Sequence, residues 1–288
     1  MEIIIGKTSG FCGGVIKSVK EAENILEKYD YIYCLGELVH NKQVVESLEE
    51  KGLKVIDSLD DIDSNSKVIV RAHGVSKDIY EDANKRSIKL IDLTCPKVLL
   101  VHQEAEKLVN DGYYIVLLGK NTHPEVIGTI SYCGVNSMVV ESENDLDELF
   151  SNIRNSNCKK IAILAQTTYS VDKFNEIVQK VAREFDSSYD VLIKNTICSA
   201  TELRQQETKE IASKVDAMII IGGKNSSNTK KLYDIASKLC NNTFIIETFS
   251  DLDYDFSLFE KIGVMAGAST PKDSIDDVVN YLKKCENK

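Results

Sequence analysis

A chain of 288 residues with 43% hydrophobic content is long enough for several packed units, and a net charge of -10 argues against wide contact with nucleic acid or an anionic membrane. It has no run of about 18 apolar residues, and it opens on the strand-like Met1-Glu2-Ile3-Ile4-Ile5-Gly6 with no basic, cleavable leader, which points to the cytoplasm. Eight cysteines in so core-rich a chain do not read as disulfide staples, and no two lie within four residues of each other, which excludes a local zinc ribbon or ferredoxin-type run.

Apolar runs predict strands at 2-5, 31-35, 53-56, 67-71, 88-92, 113-118, 137-140, 160-164, 190-194, 216-221, 243-246 and 261-265. Amphipathic spacing predicts helices between many of them, among them 14-29, 97-111, 171-185 and 200-214. Such alternation implies an α/β fold of parallel sheets joined by right-handed crossovers. With three prolines and no Gly/Ser tract there is no visible linker, so the units are expected to pack tightly. Their expected boundaries are 1-95, which carries the N-terminal Cys12 loop, 96-195, and 196-288, which includes the C-terminal tail.

An internal repeat organises these elements. Cys12, Cys95 and Cys198 each precede a helical stretch and an apolar strand, and a glycine follows 24 positions on, at Gly36, Gly119 and Gly222. Four residues later stand His40, His123 and Ser226. Each copy continues to an acidic turn at Asp57, Glu141 or Glu247 and an alanine loop at Ala72, Ala165 or Ala266. One thiol per copy of a threefold repeat implies three thiols gathered at a pseudo-threefold axis. Cys34, inside a strand, and Cys133, Cys158, Cys240 and Cys285 stand outside the repeat and read as small buried or incidental thiols.

Ligands of parallel sheets bind beyond the carboxyl ends of strands, and these loops hold three of the four histidines and all three repeated cysteines. His102 is the exception, mid-helix, expected at the surface or the edge of the core. Gly6-Lys7-Thr8 resembles the end of a phosphate-binding P-loop, but the glycine that motif needs falls at Met1, and no Gly-x-Gly-x-x-Gly opens any unit. Three thiolates in a reducing compartment suit zinc or an iron-sulfur cluster. A cubane on three cysteines would leave one iron open as a Lewis acid beside a source of electrons. His40, His73 and His123 with Ser226, Ser227, Asn228 and Ser269 resemble an anion cradle, set before helices whose N-termini add to it. Glu125 shares a loop with His123 and reads as a proton relay or as a first-turn helix glutamate. Thr167 and Thr168 either bind a substrate hydroxyl or cap the helix that follows.

Read together and in order, Gly10-Phe11-Cys12-Gly13-Gly14-Val15, Val39-His40-Asn41, Arg71-Ala72-His73-Gly74-Val75, Asp92-Leu93-Thr94-Cys95-Pro96, His123-Pro124-Glu125, Gln166-Thr167-Thr168, Thr196-Ile197-Cys198, Asn225-Ser226-Ser227-Asn228 and Ala268-Ser269-Thr270-Pro271 carry a family resemblance. From residue 1 to about 275 the chain resembles the 4-hydroxy-3-methylbut-2-enyl diphosphate reductases (the IspH/LytB family) of the methylerythritol phosphate route to isoprenoids. The resemblance implies three α/β units around a central cavity holding a [4Fe-4S] cluster on Cys12, Cys95 and Cys198. It implies a diphosphate held by His40, His73, His123, Ser226, Asn228 and Ser269, with Ser227 in the same loop and Thr168 beside the substrate. Glu125, Thr167 and His123 form the implied catalytic group, and ferredoxin or flavodoxin the implied electron donor. Two rivals make different demands: a quinolinate synthase-like dehydratase would need arginines for a dicarboxylate, where only Arg71 is near, and a cluster-based redox sensor would need no anion cradle.

Overall fold

A computed structural model describes residues 1–286. Every expected strand is present, with its ends moved by no more than one residue: β1 (Glu2–Ile5), β2 (Ile32–Leu35), β3 (Leu53–Ile56), β4 (Lys67–Val70), β5 (Lys89–Asp92), β6 (Tyr114–Leu118), β7 (Ser137–Val140), β8 (Lys160–Ala165), β9 (Asp190–Ile193), β10 (Ala217–Ile221), β11 (Asn242–Ile246) and β12 (Lys261–Ala266). The helices are α1 (Gly13–Leu26), α2 (Lys42–Glu50), α3 (Lys77–Lys85), α4 (Pro96–Asn110), α5 (Pro124–Ile130), α6 (Leu146–Asn155), α7 (Val171–Glu184), α8 (Ser199–Ala212), α9 (Ser227–Ala236) and α10 (Lys272–Glu286). Helix α1 stops short of its expected end at 29: Leu26 is its last buried residue, and the residues after it are exposed, so no buried face extends the helix.

The strands form three four-stranded sheets, parallel throughout, in the orders β3-β2-β4-β5, β7-β6-β8-β9 and β11-β10-β12-β1. Their central strands are apolar along their length, as in Tyr114–Leu118 and Ala217–Ile221, because a parallel sheet is covered on both faces. The three orders are one order: β2, β6 and β10 take the same place, and so do β5, β9 and β1. The first strand of the chain pairs with β12 and so completes the last sheet, not the sheet of the residues that follow it. Each repeated cysteine therefore follows the fourth strand of a sheet and precedes a long helix.

The repeat extends to single hydrogen bonds. The glycine after each leading strand donates its N–H to the second strand's end: Gly36 to Ile56 at 2.8 Å, Gly119 to Val140 at 3.1 Å and Gly222 to Ile246 at 2.8 Å. Gly36 has a φ of 74°, a conformation that favours glycine, and a Cβ there would also push on the Arg71 guanidinium 2.1 Å away. Two compact units result. One comprises Met1–Ile16, Val39–Ser47 and the chain from Ser199 on, and contains the sheet closed by β1; the other comprises Lys17–Leu38 and Leu48–Cys198 and contains the other two sheets.

Candidate active site

The three repeated cysteines are built alike. Cys95 donates its N–H to the Ala72 carbonyl at 2.9 Å, Cys198 to Thr167 at 3.0 Å and Cys12 to Ala268 at 3.0 Å. Each thus borders a polar residue on the loop it is tied to: His73, Thr168 and Ser269 respectively. Each is half-buried, outside any disulfide, and immediately precedes a helix: α4, α8 and α1. Helix N-termini present unpaired N–H groups and positive potential, which suits sulfur ligands of an anionic group. The other thiols are spent differently. Burial pushes Cys34 and Cys133 up to about 12, and the sulfurs of Cys158 and Cys240 lie against backbone carbonyls.

The unit that holds Cys95 and Cys198 also holds Glu125. Glu125 is 2% exposed in the first turn of α5. Its carboxylate accepts from the Thr167 N–H at 2.6 Å and the Thr167 hydroxyl at 2.8 Å. Burial raises it from 4.5 to about 7, against the downward pull of those two donors. Thr167 therefore joins two other candidate residues, because its amide and hydroxyl serve Glu125 while its carbonyl takes the Cys198 N–H. His123 caps α5, and its Nδ1 accepts from the Glu125 N–H at 3.2 Å, so the neutral ring carries its proton on Nε2. The His73 ring stands edge-on to it, centroids 5.6 Å apart. Gln166 is fixed by the Lys120 N–H on its oxygen and donates to the Thr168 hydroxyl at 2.8 Å, which leaves that hydroxyl its own proton to give.

The other unit gathers His40, Ser226, Ser227, Asn228 and Ser269. Ser269 donates to the His40 carbonyl at 3.0 Å. A Cβ on Gly223 would lie 2.6 Å from the same carbonyl, so the loop before α9 approaches His40 through a glycine. Ser226 is the N-cap of α9, accepting from the Thr229 N–H at 3.3 Å, and Ser227 is half-buried in its first turn. Asn228 is 3% exposed, and its amide oxygen and nitrogen are both buried with no hydrogen-bond partner. A buried amide without a partner in the protein costs stability, which makes Asn228 a candidate to hydrogen-bond a bound group.

His102 corrects an expectation. It is 3% exposed, stacked on Tyr132 with centroids 4.7 Å apart, and neither ring nitrogen has a hydrogen-bond partner. Burial pushes it down to about 4. The spacing carried the signal, for Val98, Val101, Ala105 and Leu108 form the buried stripe of α4 and position 102 lies on it. Arg204 and Glu207 on α8 also went unpredicted, although both bind the loop that carries Cys12.

Residues 3–283 match the model of the LytB protein family. The chain belongs to the LytB family. Over 285 residues it is 40% identical to the 4-hydroxy-3-methylbut-2-enyl diphosphate reductase of Clostridioides difficile (strain 630), covering 98% of this chain and 99% of the relative. A solved (E)-4-hydroxy-3-methyl-but-2-enyl diphosphate reductase, described as the terminal enzyme of the non-mevalonate pathway, matches with a TM-score of 0.69 and 39% identity, covering 99% of this chain and 100% of its own. The E-1-hydroxy-2-methyl-but-2-enyl-4-diphosphate reductase from Plasmodium falciparum matches with a TM-score of 0.90 and 33% identity, covering 97% and 87%. The LytB match runs from β1 into α10, so every candidate residue lies inside it. Among the described residues no helix is long and apolar enough to cross a membrane.

Proposed function

We propose that this chain is a 4-hydroxy-3-methylbut-2-enyl diphosphate reductase, converting (E)-4-hydroxy-3-methylbut-2-enyl diphosphate to isopentenyl and dimethylallyl diphosphate at the end of the methylerythritol phosphate route. The observation that carries the proposal is the Thr167 node. A carboxyl poised near neutrality and a repeated cysteine share one residue, which suits an acid working beside a thiolate-held group.

Cys12, Cys95 and Cys198 fit a cluster with three protein ligands, since they are soft donors, half-buried, and identically tied at helix N-termini. When bound, a [4Fe-4S] cluster on these residues supplies electrons one at a time and Lewis acidity at the iron that lacks a protein ligand. His40, His73, His123, Thr168, Ser226, Ser227, Asn228 and Ser269 bind the substrate, chiefly through its diphosphate. Neutral donors suffice for that, because hydrogen bonds to a charged group contribute about 1.5 to 3 kcal/mol each. An arginine-based dicarboxylate site finds less support. Arg71 is buried under Gly36, near Cys34, Glu37 and Asp57, and it is a single guanidinium where a dicarboxylate would call for more.

The reaction takes up two electrons and two protons, breaks the allylic C–O bond and releases water. Glu125, about half protonated at pH 7, gives its proton to the Thr167 oxygen while the Thr167 hydroxyl passes its own proton to the departing hydroxyl. His123 donates from Nε2 to the diphosphate while its Nδ1 holds the Glu125 backbone, so binding and acid placement share one ring. The electrons come from ferredoxin or flavodoxin, in the cytoplasm. Anaerobically purified protein given the allylic diphosphate and a chemical reductant should form both products. An intact cluster that yields neither would overturn the proposal.

A further inference from the structure

We infer that Arg204 and Glu207, on the helix that follows Cys198, are positioning residues that hold the Cys12 loop in ligating shape. The inference rests on the cluster reading above and adds residues that the repeat does not contain. Between β1 and α1 the chain runs through irregular backbone whose N–H and C=O groups have no ladder to join. Glu207 accepts from the Lys7 N–H at 2.7 Å, the Thr8 N–H at 2.8 Å and the Thr8 hydroxyl at 2.5 Å. Arg204, 3% exposed, donates from Nε to the Thr8 carbonyl and from Nη2 to the Gly10 carbonyl, both at 2.8 Å. The anion thus meets the loop's amides and the cation its carbonyls, from positions three apart on one face of α8.

The far side of the loop is held by the end of β12. The Ala266 N–H donates to the Ser9 hydroxyl at 3.1 Å, and the Ala268 carbonyl takes the Cys12 N–H. Gly10 has a φ of 90°, which favours glycine, and a Cβ there would lie 3.3 Å from the Thr270 carbonyl, so the loop passes close to the chain after β12. Burial pushes the Glu207 carboxyl up, but its donors from Thr8 and Lys7 prevail and hold it below the usual carboxylate range, so the anion persists at neutral pH. Helix α8 starts one residue after Cys198.

The test uses anaerobically purified, cluster-bearing protein. Glu207→Gln and Arg204→Lys are compared with wild type and with Glu210→Gln, which removes a charge from an exposed position one turn along α8. Iron release to a chelator should be faster in the first two variants by on the order of tenfold, the factor that about 1.4 kcal/mol carries, and unchanged in the third. With iodoacetamide present during release, Cys12 should be alkylated ahead of Cys95 and Cys198 in those variants, a site-resolved change that general loosening of the fold would not give. If Arg204→Lys fails to fold, Thr8→Val removes one donor to Glu207 and carries the same expectation. Wild-type release rates with no preference for Cys12 would overturn the inference. Wild-type protein purified without iron or sulfide would instead overturn the cluster reading on which it rests.

Discussion

Replacing Glu125 with Gln tests the proposed acid through two observables whose pH dependence is set by the same proton. Burial moves the carboxyl from 4.5 to about 7, which corresponds to about 3 kcal/mol between its two protonation states. The folded protein holds this proton more tightly than the unfolded chain does. The resulting stability is full below about pH 4.5 and is lost as pH rises through about 7. His102 runs the opposite way, since burial moves it from 6.5 to about 4; its contribution is full above 6.5 and is lost as pH falls through about 4. The two offset each other between about pH 4.5 and 6.5, and Glu125→Gln removes one of them. Gln can still accept from the Thr167 N–H and donate to its hydroxyl. The variant should therefore gain stability over wild type as pH rises from about 5 to 8, by up to about 3 kcal/mol, read as several degrees in the unfolding midpoint. Wild-type turnover should fall as pH rises through about 7. Variant turnover should be lower by on the order of 10²-fold at pH 7, with no such inflection and with KM for the diphosphate largely kept. A variant with wild-type rates and pH profile would refute the role of Glu125. A stability difference constant across pH would refute the titration.

Cys95→Ser should abolish or cripple the visible absorbance of the cluster, whereas Cys34→Ser should not, because Cys34 is a buried thiol of β2 pushed up to about 12; intact brown protein in the Cys95 variant would remove that residue from the ligand set. Asn228→Ala should raise KM by on the order of tenfold, about 1.4 kcal/mol, while leaving the unfolding midpoint unchanged or higher, because it deletes two buried amide atoms that lack partners. A marked loss of stability with unchanged KM would make Asn228 structural. His102→Leu should flatten the loss of stability on acidification below about pH 6.5, and an unaltered acid limb in thermal unfolding would show that another group titrates there.

The strands were legible because their central members are uninterrupted apolar runs ended by glycine and polar turns, as at Tyr114–Leu118 before Gly119 and Ala217–Ile221 before Gly222. The repeat made the thiols legible as a set, and the structure repeats them down to one backbone hydrogen bond apiece. Pairing was not legible. Nothing local in Glu2–Ile5 says that it lies beside Lys261–Ala266, since register between strands so distant in sequence depends on the whole fold. The link between Glu125 and Thr167 spans 42 residues, and only the folded chain shows that one threonine serves both the acid and Cys198. No motif or repeat position marks Arg204 and Glu207 in the sequence. Their loop partners lie almost two hundred positions away, and no helical periodicity reports that contact.

The central claim is that three repeated cysteines hold a substrate-binding iron-sulfur cluster beside a diphosphate cradle. Iron and inorganic sulfide analysis of anaerobically purified protein, with its spectrum recorded before and after addition of (E)-4-hydroxy-3-methylbut-2-enyl diphosphate, tests it most directly. Iron and sulfide in the one-to-one ratio of a cubane, lost together in Cys12→Ser, Cys95→Ser or Cys198→Ser, and a spectrum that changes on adding the diphosphate are the predicted result. Zinc in place of iron, or a cluster whose spectrum ignores saturating diphosphate, would contradict it.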